Sequence, residues 1–193
     1  MINLKKLEMG ETIMPRINAL APESATGHTQ ELFTSIKSKL GVVPNLMKTM
    51  GHSPALLEAY LQFSGKLGGG VLPAKVREQI SLAVGQKNDC DYCVSAHSAI
   101  GKKLGLSTEQ ILDSRHGISQ DPKTAAILTF SQRIIEKQGH VSDADVQDVR
   151  TAGVTDAEIV EIVGNVALNI FTNYFNHISD TEIDFPRAEA LKA

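Results

Sequence analysis

The stretch "VREQISLAVGQKNDCDYCVSAHSAIGKKLG", residues 76–105, decides the fold. Val76, Ile80, Ala83 and Val84 form an apolar stripe at helical spacing, and no strand-like alternation interrupts it. A short polar connection at about 87–89 follows, and a second helix is predicted over 90–104. Lys102 and Lys103 lie in its last turn and Gly105 stands just beyond, which is the composition a helix C-terminus prefers. So short a connection folds the second helix back onto the first. The same stretch contains both cysteines of the chain, Cys90 and Cys93, with His97 four positions later.

Outward from this hairpin the sequence reads as helix after helix. Ser53 precedes Pro54 as an N-cap before a first-turn proline, and Asp121 precedes Pro122 in the same way. A further start falls at Pro73. Ser107 with Gln110, and Thr155 with Glu158, have the spacing of capping boxes, with Val154 placed as a hydrophobic staple. Helices are predicted over 28–40, 54–67, 73–87, 90–104, 108–114, 122–138, 142–151 and 155–178, with Gly139 as one stop. The fold class is therefore all-α, a single-domain helical bundle with no significant sheet. Residues 26–180 form the domain, 1–25 an N-terminal extension and 181–193 a C-terminal tail, both loose. "GKLGGGV" at 65–71 reads as a flexible connection, too short to link domains.

Bulk properties narrow the function classes. The chain has 193 residues, 42% hydrophobic and 21% charged, enough for one domain with a real core. A net charge of -3 argues against nucleic acid and anionic membrane as partners. The opening residues lack the apolar core of a signal peptide, and no apolar run approaches the ~18 residues of a membrane span. A cytoplasmic protein is expected, and in that compartment a cysteine pair points to catalysis or metal binding rather than to a structural staple.

Three readings of the cysteine pair follow from the residues. With Asn88 or Asp89 as N-cap, Cys90 falls in the first helical turn, where free N–H groups and the helix dipole favour thiolate. Asp91 opposes that effect. At about 100° per residue, Cys93 lies about 60° from Cys90 and His97 about 20° from it, so the three side chains share one face. Cys93 and His97 are one turn apart, and thiols at i and i+3 can close a disulfide. A zinc site is the rival, but a structural site wants four Cys or His ligands, and His97 would be only the third. Two core thiols beside an incidental histidine are the third reading. One helix upstream, Glu78 shares a face with Ser81, Leu82 and Gly85, and the small residues beside the carboxylate let a neighbouring helix approach. There Glu78 is either a buried proton acceptor near the dithiol or a solvated carboxylate beside Arg77. His177 and Tyr174 read as packing or pocket-lining residues of a long apolar helix. His28, His52, His116 and His140 read as solvent-facing or backbone-capping, and Met47 and Met50 as core.

The pattern Glu78-x11-Cys90-x2-Cys93-x3-His97 resembles the motif of alkylhydroperoxidase D (AhpD)-like proteins, within the carboxymuconolactone decarboxylase superfamily. "GVVPNLMKTMGHSPALLEAYLQFSG" at 41–65 resembles the segment before that motif, and "NYFNHISDTEIDFP" at 173–186 resembles the C-terminal signature of a peroxidase-related branch. The resemblance implies an AhpD-like helical bundle and a thiol-dependent hydroperoxide reductase, an antioxidant peroxidase. Its substrate would be a small-molecule hydroperoxide and its reductant a dithiol or protein. It further implies assembly as a homo-trimer or homo-hexamer, with no cofactor and no metal. By position, Cys93 would attack the peroxide, Cys90, nearer the surface, would resolve, and Glu78 and His97 would relay protons. AhpD itself has a further histidine where this chain has Tyr92, so substrate and electron donor are expected to differ. A redox switch or partner-binding protein, and a carboxymuconolactone decarboxylase-like enzyme, are the alternatives, the last disfavoured because that branch generally lacks the cysteine pair.

Overall fold

The computed structural model describes residues 14–191. Residues 1–13 of the expected N-terminal extension, and residues 192–193 of the expected tail, lie outside the described residues. Nine α-helices occupy the described chain: α1 Gly27–Leu40, α2 Asn45–Met50, α3 Pro54–Gly68, α4 Ala74–Lys87, α5 Asp91–Lys103, α6 Thr108–Arg115, α7 Pro122–Glu136, α8 Asp143–Thr151 and α9 Asp156–Ser179. No strand occurs among the described residues. The fold is all-α, as the periodicity requires.

Local chemistry accounts for most of the helix starts. The Ser53 and Asp121 side chains accept the backbone N–H of Leu56 and Thr124, and Pro54 and Pro122 follow in the first turn. Capping boxes close at Ser107/Gln110 and Thr155/Glu158, and another forms at Ser142/Asp145. Each satisfies N–H groups that the helix itself leaves unpaired.

Helix α4 is the axis of the bundle. It packs against α5, α6, α7 and α9, and residues Gln79 to Gly85 are buried without a break. A helix buried on all sides needs small or apolar residues around its circumference, which "QISLAVG" supplies. One core cluster joins Ile80, Val84, Ile127, Leu128, Ile162 and Val166 from α4, α7 and α9. The other joins Phe33, Met50, Leu57, Cys90, Tyr92 and Cys93, so the cysteine pair belongs to the packed interior.

Five features differ from the sequence reading. Helix α2 was not expected. Its six residues are too few to show periodicity, and distant partners hold it: Asn45 N–H donates to Asp184 Oδ2 at 2.8 Å, and Leu46 N–H donates to Tyr92 Oη at 3.2 Å. The segment after residue 180 is not loose. Tyr92 donates to Asp184 Oδ1 at 2.9 Å, Phe185 stacks edge-on against Tyr92, and Ala188 N–H reaches Ser95 Oγ. The extension is also tied down from residue 16, where Arg16 and Ile17 donate their backbone N–H groups to Ser179 O. The glycine-rich 65–71 connection is pinned, because the Glu161 carboxylate accepts from Val71 N–H at 2.7 Å and Leu72 N–H at 3.0 Å. Helix α7 stops at Glu136, two residues earlier than expected, and Gln138 takes a left-handed conformation before Gly139.

Candidate active site

The turn between α4 and α5 sets the site. Asn88 is the C-cap of α4, and Asp89 follows with φ +52°. Cys90 N–H donates back to Gly85 O and Asp89 N–H to Gln86 O, the paired bonds of a Schellman closure. Cys90 therefore ends one helix and caps the next. Its Sγ accepts Cys93 N–H at 3.3 Å. This corrects the expectation that Asn88 or Asp89 caps α5 with Cys90 in its first turn. Asp89 is committed to the left-handed position that closes α4, which moves the cap one residue on.

Cys90 and Cys93 form a disulfide, with Cα atoms 5.3 Å apart. Both are buried, Cys90 at 1% exposure and Cys93 at 3%. Cys90 is thus not the more exposed of the two, and it belongs to the core cluster against which Phe171, Phe175, Ile183 and Phe185 pack. Its access is of another kind: it borders a cleft of about 630 Å³ lined also by Asp89, Asp91, Tyr92, His177 and Arg187.

One helix over, Glu78 meets His97. The Glu78 carboxylate Oε2 lies 2.7 Å from His97 Nδ1, with the side chains 16% and 23% exposed. Near the turn, Gly85 faces Cys93 and Val94 of α5, where a Cβ would make ordinary contacts at 3.4 Å. Glu78 is therefore not the solvated partner of Arg77, whose guanidinium turns to Leu72 O. Glu78 and His97 border a second pocket of about 200 Å³, with Tyr60, Asn165, Asn169 and Thr172. Burial, with a smaller contribution from the Glu78 charge, pushes the Tyr60 phenol up to about 12, so it stays protonated at neutral pH. The two cavities share no lining residue. The four motif residues thus lie together where α4 meets α5, with the carboxylate–imidazole pair open to one pocket and Cys90 to the other.

Tyr92, which stands at the position of the further histidine in AhpD, has a structural tie. Burial raises its phenol well above the usual tyrosine range, and it bridges α5, α2 and Asp184. It cannot act as an imidazole would. His28, His52, His116 and His140 are exposed, as expected; His28 sits between Glu31 and Glu58, and His52 bonds to Asn18 O. Tyr174 is 54% exposed rather than packed, while His177 is exposed at the Cys90 cleft with Nε2 3.3 Å from Asp89 O. Met50 is core at 1% exposure, and Met47 packs at its edge. Among the described residues no group of three His, Cys, Asp or Glu side chains converges on a metal position.

The sequence reading passed over four asparagines on α9. Asn165, Asn169, Asn173 and Asn176 are all at most 5% exposed. Asn169 Nδ2 donates to Ser81 Oγ, Asn173 Oδ1 accepts from Asn88 Nδ2 at 2.8 Å, and Asn176 Nδ2 donates to Cys93 Sγ at 3.3 Å. Their spacing, four, four and three, was a readable signal: one polar stripe on an otherwise apolar helix.

Comparison with known proteins agrees with this architecture. The carboxymuconolactone decarboxylase family model matches residues 54–127, which include α3, α4, α5 and the whole motif. No curated protein matches. A peroxidase-related protein from Silicibacter sp. TM1040 superposes with a TM-score of 0.78 at 24% identity, over 90% of this chain and 95% of that one. An alkylhydroperoxidase AhpD core, peroxidase-related protein from Ralstonia eutropha JMP134 gives 0.77 at 24%, over 88% and 92%. The debrominase Bmp8, as a cysteine-to-alanine variant in complex with 2,3,4-tribromopyrrole, gives 0.75 at 18%, over 90% and 94%. At these identities the superpositions speak for the fold. The segment that carries the motif thus matches the carboxymuconolactone decarboxylase family model, and the described chain shares its all-helical fold with AhpD-like, peroxidase-related proteins.

Proposed function

We propose that the chain is a thiol-dependent hydroperoxide reductase working through Cys90 and Cys93. The observation that carries the reading is the Glu78–His97 contact at 2.7 Å, one helical turn from Cys93 on the same face of α5. A peroxidatic thiol needs a proton acceptor, a proton donor for the leaving oxygen and a second thiol, all within reach. In the reduced protein the Cys93 thiolate attacks one oxygen of the O–O bond. That bond breaks, Cys93 becomes a sulfenic acid, and the leaving alkoxide takes a proton from His97, which Glu78 holds in orientation. The Cys90 thiol then attacks the sulfenic sulfur, water leaves, and the disulfide forms before further oxidation. An external dithiol or protein reductant restores both thiols, with the 630 Å³ cleft beside Cys90 as its approach.

The catalytic unit is residues 26–180, with 1–25 as an extension and 181–193 as a tail, whose described part reaches α5 at Tyr92 and Ser95. The setting is cytoplasmic, and no helix of the described residues is long and apolar enough to cross a membrane. Nucleic acid is not a partner. Val160, Val163 and Ile178 of α9 are 71%, 48% and 65% exposed, an apolar surface that supports a homo-trimer or homo-hexamer. A monomer by light scattering at micromolar concentration would refute that assembly.

The test of the activity counts thiols. Reduced protein is mixed with cumene hydroperoxide, and rapid loss of two thiols, restored by a dithiol, is expected. Loss no faster than that of a free peptide thiol sinks the reading. The same assay run with 2,3,4-tribromopyrrole addresses reductive dehalogenation, a chemistry that the structural likeness to the debrominase raises. Bromide release in place of peroxide consumption would assign the dithiol to that reaction instead.

A further inference from the structure

We propose that the Asn176 side-chain amide stabilises the Cys93 thiolate, so that α9 rather than the start of α5 alone selects which sulfur ionises. The inference rests on the reading of the pair as a working dithiol.

Asn176 is 5% exposed, and its Nδ2 donates to Cys93 Sγ at 3.3 Å. A disulfide sulfur is a weak acceptor. Burying an amide is costly unless its hydrogen bonds are made, yet Asn176 Oδ1 has no partner among the described residues. In the oxidised state the amide is therefore poorly satisfied on both sides. A thiolate is a different partner. A hydrogen bond to an ionised acceptor is roughly twice as strong as a neutral one. The donor is already aimed at the place where negative charge develops, which is electrostatic preorganisation.

The mounting of the amide supports this role. Three residues earlier, Asn173 is fully buried, and its Oδ1 accepts from Asn88 Nδ2 at 2.8 Å. Asn88 closes α4 two residues before Cys90. Helix α9 thus grips the turn ahead of Cys90 with one asparagine and the Cys93 sulfur with the next. That bracing fixes the distance between the amide and its sulfur.

The surrounding charges push in the same direction. Cys90 has a donor of its own, the Cys93 N–H. However, the cleft it borders carries Asp89, Asp91, Asp180 and Glu182 against only His177 and Arg187. Cys93 borders neither cavity, and one turn further along α5 His97 is paired with Glu78. The carboxylates around Cys90 disfavour a negative charge there, whereas the uncharged Asn176 donor, buried at the wall of the same cleft, is bonded to Cys93 and not to Cys90.

The experiment titrates one thiol. In the reduced Cys90→Ser protein, Cys93 ionisation is followed by thiolate absorbance near 240 nm, with and without Asn176→Leu. Losing a hydrogen bond to a charged acceptor should move the midpoint up by about 1 to 2 pH units. In the unaltered reduced protein, the Asn176 side-chain amide resonance should shift with the same midpoint as Cys93, which decides the matter if Asn176→Leu does not fold. Coincident titration curves for the two proteins, or an amide resonance that ignores the Cys93 titration, would overturn the proposal. Neither readout needs turnover. A protein inert to hydroperoxide but with an Asn176-dependent midpoint refutes the peroxidase reading and upholds this one, and the converse result does the reverse.

Discussion

Replacing Glu78 by Gln is the most direct test of the proton relay. Gln keeps the shape and an acceptor oxygen, so His97 can stay in place, but it removes the charge and the proton-accepting site. The contact it alters is short, 2.7 Å, between side chains only 16% and 23% exposed, so water screens it weakly. A hydrogen bond to a charged partner contributes about 1.5–3 kcal/mol. At about 1.36 kcal/mol per factor of ten, full loss of that contribution in the transition state slows the reaction about 10- to 150-fold. Loss of a positioned general base costs about 10²-fold or more. Both estimates meet near 10²-fold at pH 7. Stopped-flow thiol loss against cumene hydroperoxide, run from mildly acidic to alkaline pH, measures it. Above the ordinary thiol value of about 8.5 the cysteine ionises unaided, and the variant should recover part of its rate. Superimposable pH–rate profiles would show that Glu78 only props α4 against α5.

Three further outcomes are expected. Cys93→Ser should show no rapid reaction with hydroperoxide, while Cys90→Ser should consume about one equivalent and stall as a dimedone-trappable sulfenic acid; the opposite pattern reverses the two roles. Gly51→Ala should lower stability by about 1–3 kcal/mol in urea unfolding. The new Cβ would lie 2.8 Å from Cε1 of Phe33, which is itself buried, and an unshifted midpoint would mean that this corner of the core is not tightly packed. Asp145 should govern part of the acid limb of stability. Lys137, followed by the backbone N–H and hydroxyl of Ser142, holds its carboxyl well below the ordinary 3.8. Because the folded value is the lower one, this stabilisation is present above about pH 3.8 and is lost as pH falls toward the folded value. Asp145→Asn should therefore lower the thermal midpoint at neutral pH and flatten its decline in acid, and parallel declines for the two proteins would contradict the assignment.

What the sequence discloses depends on how local the cause is. The starts of α3, α6, α7 and α9 are legible because Ser53, Ser107, Asp121 and Thr155 bond to N–H groups three residues on. The Glu78–His97 meeting is legible for a related reason. Both sit on helices joined by so short a turn that the chain must fold back and bring them face to face. Helix α2 is not legible, since the partners of Asn45 and Leu46 are Asp184 and Tyr92, far along the chain. The tail fails for the same reason. Its composition looks unstructured, and only Tyr92 on α5 shows what it packs against. The cap of α5 is not legible either, because side-chain preference points to Asn or Asp, whereas the closure of α4 uses Asp89.

These non-local contacts share a physical basis that bears on the chemistry. Cys90 is fixed by the end of α4, Cys93 by the start of α5 and the Asn176 amide of α9, and His97 by Glu78 of α4. Three helices therefore meet at a motif that the sequence writes across two. A dithiol that cycles between disulfide, thiol and thiolate must keep its sulfurs within bonding reach while their charge changes. A cap on a single helix constrains only its own first turn. Contacts from α4 and α9 constrain the turn from both sides, and they bring two different donors to the two sulfurs. The backbone N–H on Cys90 belongs to the helix and is present in every redox state that leaves α5 intact. The amide on Cys93 is a side chain, whose bond strengthens when the sulfur acquires charge. Of the two donors, the amide is the one that can be substituted without altering the backbone of the motif, which makes the difference in ionisation between Cys90 and Cys93 open to direct measurement.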